Sequence, residues 1–69
     1  MGYAIIYKVG EENEIVQITN NNIGDGAFDV TGDLRYQNAT DEADMKTQAT
    51  AIEAGWEARF DVTYIRKNA

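Results

Sequence analysis

The stretch Tyr3-Ala4-Ile5-Ile6-Tyr7-Lys8-Val9 sets the strictest condition on how this chain can fold. At the two-residue period of a strand, Tyr3, Ile5, Tyr7 and Val9 share one face, with Ala4, Ile6 and Lys8 on the other. Both faces are largely apolar, which predicts a central strand, or one whose back face is covered. Gly10-Glu11-Glu12-Asn13 then reads as a four-residue hairpin loop, because Gly and Asn tolerate positive φ. Glu14 to Thr19, carrying Ile15, Val16 and Ile18, is the expected returning strand.

Little material is left to complete the fold. Sixty-nine residues make a single domain, 1–69, near the lower limit for folding without a staple. The chain has no cysteine, so neither a disulfide framework nor a thiolate metal site can help. Hydrophobic residues make up 43% of it, enough for a core and too many for a disordered chain.

Asn20-Asn21-Asn22 breaks the strand pattern, and Gly24-Asp25-Gly26 predicts a tight turn. The clearest alternation in the chain follows. Phe28, Val30, Gly32, Leu34 and Tyr36 point one way and Asp29, Thr31, Asp33 and Arg35 the other, which predicts a half-buried strand with a wet face over 28–36. Gly32 is expected at a bulge, or where another side chain packs over the backbone. Thr40 reads as a helix cap, followed by Asp41, Glu42 and Asp44 at the positive end of the macrodipole. The helix is predicted to run to about Ala54, with Met45, Ala49 and Ile52 on one stripe. Gly55 is its expected left-handed terminator, and Trp56 folds back onto the last turn. Met45 and Trp56 are then core residues rather than a recognition patch.

Glu57 to Arg66 is the expected last strand, with Ala58, Phe60, Val62 and Tyr64 on one face and Arg59, Asp61, Thr63 and Ile65 on the other. The fold class is therefore α+β: a small two-layer sandwich in the order β-β-β-α-β, a mainly antiparallel sheet with one helix packed on one face. One helix cannot cover Ile6 and Ile65 on the opposite face. That apolar back face is a candidate surface for self-association, as a homodimer, or for a partner. A misassigned register would explain the same two residues.

Composition narrows the chemistry. The chain contains no His, Ser, Cys or Pro. Without His the usual proton shuttle is gone, and without Ser or Cys triad chemistry is excluded, leaving Thr, Lys or carboxylate nucleophiles. Zinc, copper and haem lose their commonest ligands. A carboxylate-only enzyme would need a shielded cleft, which so short a chain can hardly build. No enzyme and no cofactor are expected. Twelve acids against six bases give a net charge of −6, which argues against direct binding of nucleic acid. The same charge fits a basic protein partner, and it also keeps a small protein soluble. The longest apolar run, Ala4 to Tyr7, is too short for a membrane span or a signal-peptide core, so no membrane partner and a cytoplasmic location are expected.

The candidate metal, phosphate and glycosylation sites are each set aside. Asn20, Asn22 and Asp25 are in range for a calcium loop, but the alternation fails at Gly24 and no Glu closes the run. On a strand, Asp29 and Asp33 share a face about 13 Å apart, too far for one ion. No helix follows Gly24-Asp25-Gly26 and no Lys lies in it, so a phosphate cradle is rejected. Asn38-Ala39-Thr40 matches a glycosylation sequon but reads more simply as a helix cap. An acidic surface remains: Glu11, Glu12 and Glu14 at the hairpin tip, Asp29 and Asp33 on a strand face, and Asp41, Glu42 and Asp44 at the helix start. Carboxylates held apart on a rigid scaffold can imitate a phosphate backbone or meet an Arg-rich groove. Each cluster also has a plainer account, as solvated turn, solvated strand face or macrodipole complement.

The segment ATDEADMKTQATAIEAGW, followed by RFDVTYIR, resembles the helix-plus-final-strand half of the small phage-encoded inhibitors of bacterial RNA polymerase from T7-like podophages. That resemblance implies a short acidic protein with a small antiparallel sheet and one helix. In the family the final strand carries two arginines that engage the polymerase jaw. Aligned on DVTYIR, the second matches Arg66, while the first falls on Tyr64. The class implied is a small phage-type protein that blocks a host machine, acidic inhibitors of CRISPR effectors being another member. The expectation is a non-enzymatic module acting in the host cytoplasm on a nucleic-acid-handling complex, RNA polymerase first. Glu11, Glu12, Asp29, Asp33, Arg59 and Arg66 are the expected contacts, and a structural or oligomerising phage protein is the rival.

Overall fold

A computed structural model describes residues 2–24 and 32–59. Its elements are β1 (Tyr3–Lys8), β2 (Glu14–Thr19), β3 (Leu34–Ala39), α1 (Glu42–Ile52) and the one-turn helix α2 (Trp56–Arg59). The three strands form an antiparallel sheet in the order β2-β1-β3, so the doubly apolar β1 is central among them. Helix α1 packs across one face, and the fold is α+β. The core between the layers holds Ile5, Ile15, Ile18, Ala39, Met45, Ala49 and Trp56, with Tyr3, Tyr7 and Ile52 packed against it.

Ile15 and Ile18 are three residues apart, which in a regular strand puts them on opposite faces. Both are buried because β2 is bulged. Ile6 pairs with Gln17 and Tyr7 with Ile15, leaving Val16 over. The extra residue restores parity: Ile18 lies opposite Ile5, Ile15 opposite Tyr7, and all four share the helix-side face. Val16 itself is 43% exposed, the only large hydrophobic side chain among the described residues left so open.

Register also corrects the reading of 28–36. The part of that span that is described breaks at Gly32-Asp33, a turn with Gly32 at φ +57, and the strand starts only at Leu34. No atom beyond its chain neighbours lies within 4 Å of where a Gly32 Cβ would stand, so this glycine supplies a left-handed turn residue, neither a bulge nor a packing site. Tyr7 lies opposite Arg35 and Ile5 opposite Gln37, so Arg35, Gln37 and Ala39 take the helix side. Gln37 bridges the layers, donating to Gln48 Oε1 at 2.6 Å and accepting from the Tyr7 hydroxyl at 3.4 Å. Leu34 and Tyr36 join Ile6 on the back face, each half-buried, beside a fully buried Ala4.

The N-cap of α1 is Asp41, one residue later than Thr40. Asp41 Oδ1 accepts from the Asp44 N–H at 2.8 Å, and Asp44 reaches back to accept from the Thr40 N–H at 3.0 Å and its hydroxyl at 3.3 Å. Asp wins because its carboxylate satisfies a free N–H and complements the macrodipole together. Asp41→Ala is expected to cost about 1 kcal/mol in urea denaturation, and Thr40→Ala only a few tenths. The helix stops at Glu53, whose extended backbone (φ −146, ψ 107) still donates to Ala49 O. Gly55 has no positive φ, so it is not a left-handed terminator. Residues 56–59 coil into α2 rather than opening a strand at Glu57. The remainder of the expected fourth strand, with Ile65, lies outside the described residues.

Asn22, from the run that breaks the strand pattern, and Asn38 of β3 tie the loop after β2 to the sheet. Asn22 Nδ2 donates to Tyr3 O at 3.1 Å and Ala39 O at 3.2 Å. Asn38 accepts from the Ile23 N–H at 2.8 Å and donates to Ile23 O at 2.9 Å, pairing a backbone unit as a strand would. The Asn38 amide of the sequon therefore has a structural task. A Cβ on Gly2 would overlap the Asn22 amide. Gly2→Ala is thus expected to displace Asn22 and cost about 1–2 kcal/mol, with Asn22→Ala similar and the double variant little worse, a non-additive cycle read by denaturation.

Candidate functional site

Topology sorts the acids by end of the molecule. Lys8, the last residue of β1, pairs with Glu14 on one side and Leu34 on the other. One step further, the Val9 N–H donates to Asp33 O at 2.8 Å. The hairpin loop bearing Glu11 and Glu12 and the turn bearing Asp33 are therefore at the same end of the sheet. Helix α1 leaves the opposite end after Ala39 and runs back, so its carbonyl end arrives at the hairpin too. A shallow depression there is lined by Glu12, Asn13, Ile52, Glu53, Ala54 and Gly55. The last turn of α1 contains no basic residue to offset the negative end of its dipole.

The two acidic ends differ in what their carboxylates do. At the helix start Asp41 caps and Asp44 accepts from Thr40 and Gln48, while Glu42 pairs with Lys46 at 3.4 Å. Fold stability accounts for these. At the hairpin end Glu11, Glu12 and Asp33 are exposed and, among the described residues, make no ion pair. Gly10 donates to Asn13 Oδ1 at 3.4 Å, and Arg35 holds the other turn by donating to Gly32 O and Leu34 O at 2.9 and 2.7 Å. The bends are thus shaped by neighbours of the acids and, among the described residues, leave the carboxylates themselves unengaged.

Arg59 sits on α2, not on a strand face, and is bound within the molecule. Its Nε and Nη2 each donate to Glu53 at 2.6 Å in a two-pronged fork. Nη2 also donates to Ile15 O at 2.8 Å, and Nη1 lies 3.8 Å from Glu14. Glu53 Oε1 completes the loop by accepting from the Ile15 N–H at 2.8 Å. The Arg59 hydrogen bonds hold the Glu53 carboxyl below the usual carboxylate range against an opposing effect of burial, with help from the Ile15 N–H and the guanidinium charge. Glu53 in turn raises Arg59.

Of the six expected contact residues, the fold gathers Glu11, Glu12 and Asp33 at one end and places Arg59 in this internal fork. Asp29 and Arg66 lie outside the described residues. Sequence reasoning missed Glu53, because a six-residue separation from Arg59 has no helical or strand periodicity and arises only where α1 stops. Among the described residues no three metal-ligating side chains gather, and no helix is long and apolar enough to cross a membrane. The chain matches no family model, no curated protein and no solved structure.

Proposed function

We propose that the protein is a non-enzymatic binding module whose hairpin-end acids meet a Lys- and Arg-rich surface of a host nucleic-acid-handling complex, which it inhibits or redirects. The observation that carries this reading is the contrast between the two acidic ends: one set of carboxylates is used by the fold, while among the described residues those of Glu11, Glu12 and Asp33 have no partner. Hydrogen-bonded turns leave the backbone beneath these carboxylates little entropy to lose on binding, and the exposed charges steer a basic partner from a distance. The likeness of the C-terminal half to phage inhibitors of bacterial RNA polymerase makes that enzyme the first target to test, with a CRISPR effector second. Arg66 would add a cationic contact on this reading, and Arg59 would position the acidic end rather than touch the partner.

Purified bacterial RNA polymerase holoenzyme mixed with the protein should coelute in gel filtration at low salt, and promoter-dependent transcription should fall. Normal transcription at saturating protein, with no coelution, would remove polymerase as the target. Self-association through the back face is the weaker reading, because Ala4 is buried there and Ile6, Leu34 and Tyr36 are already half-buried.

A further inference from the structure

We propose that the Glu53–Arg59 fork is a clasp covering the edge of β2 at Ile15, and that neutralising Glu53 opens it locally while the rest of the sheet stays folded. Of the three strands, β2 is an outer one, and Ile15 turns both of its backbone groups away from β1 toward the end of α1. Glu53 takes the N–H and Arg59 the C=O, so the pair stands where a neighbouring strand would, and its two members lock each other. Exposed strand backbone is a template for pairing with another chain, and a fork that satisfies it suppresses that pairing.

The clasp is separable from the core. Trp56 anchors α2 by its own burial and by donating from Nε1 to Thr50 Oγ1 at 3.1 Å, neither of which involves Glu53. Among the described residues, the charged groups around Glu53 are Arg59 from α2, Glu14 from β2 and Glu12 from the hairpin loop. Hydrogen bonds from Arg59, with the Ile15 N–H and the guanidinium charge, favour the ionised Glu53 against the opposing effect of burial. Because the folded carboxyl lies below its ordinary value of 4.5, its stabilising effect is complete above that pH and is lost as pH falls through the folded value.

Proton–nitrogen NMR spectra of the whole chain test this. The Arg59 Nε–H and Ile15 amide signals should titrate together, with one midpoint below 4.5, while the Ile5 amide of central β1 stays in place. Glu53→Gln at neutral pH should move both signals to their acid-limit positions and speed exchange of the Arg59 Nε–H at least about tenfold. If Ile5 moves with the same midpoint, or if the Gln variant does not fold, the opening is global and the proposal is wrong. An Arg59 Nε–H unaffected by the substitution would equally overturn it.

Discussion

Trp56→Ala is expected to leave most of the chain unfolded at 25 °C. Trp56 is the largest fully buried side chain, packed where α2 folds under α1, and its ring nitrogen is paired with Thr50. Truncating a buried tryptophan costs about 3–5 kcal/mol. In a domain this short a single core rarely supplies more than about 3–5 kcal/mol of net stability. With no disulfide to make up the difference, the loss consumes most of the stability. Circular dichroism at 25 °C should show lost helix and strand signal, whereas Thr50→Ala, which removes one partly buried hydrogen bond, should cost about 1 kcal/mol and fold normally. A cooperative, native-like urea transition for Trp56→Ala would mean that Trp56 does not close the core.

The second large effect concerns binding. The triple variant Glu11→Lys, Glu12→Lys, Asp33→Lys should keep the parent's stability to within about 0.5 kcal/mol, since all three side chains are exposed and, among the described residues, unpaired. Its affinity for a basic partner should fall about a hundredfold, at about 1 kcal/mol per reversed charge. Glu42→Lys, at the opposite end, breaks only a surface pair and should leave binding unchanged. Equal loss from both variants would point to overall charge rather than to the hairpin end.

Where local pattern and tertiary demand agree, the sequence is a good guide. The doubly apolar run at Tyr3 forecasts a central strand, Glu14–Thr19 is found with the expected ends, and the Met45, Ala49, Ile52 stripe packs as expected. Trp56 is core, reached by folding back under the helix. The misses have different causes. The bulge at Val16 is set by the need to bury Ile15 and Ile18 together, a constraint that belongs to the assembled sheet. At Gly32-Asp33 an unbroken period of two hid a turn that the Gly-Asp pair could have signalled. At Glu57–Arg59, residues expected to open a strand coil instead with Trp56, because the coil buries Trp56 and brings Arg59 to Glu53 and Ile15. As for the candidate site, Glu11 and Glu12 were legible as an exposed hairpin tip. Their company with Asp33 and the helix end required the register of β1 with β3.

Affinity capture under graded salt addresses the proposed function most directly. Immobilised parent and triple variant are exposed to the same bacterial lysate, and bound proteins are identified after washes from about 0.1 to 0.5 M salt, a range over which exposed charges are progressively screened. The account predicts that the parent retains a nucleic-acid-handling complex at the low end and releases it at the high end, and that the triple variant never retains it. Retention of the same complex by the triple variant, or capture of no nucleic-acid-handling complex by the parent, would contradict it.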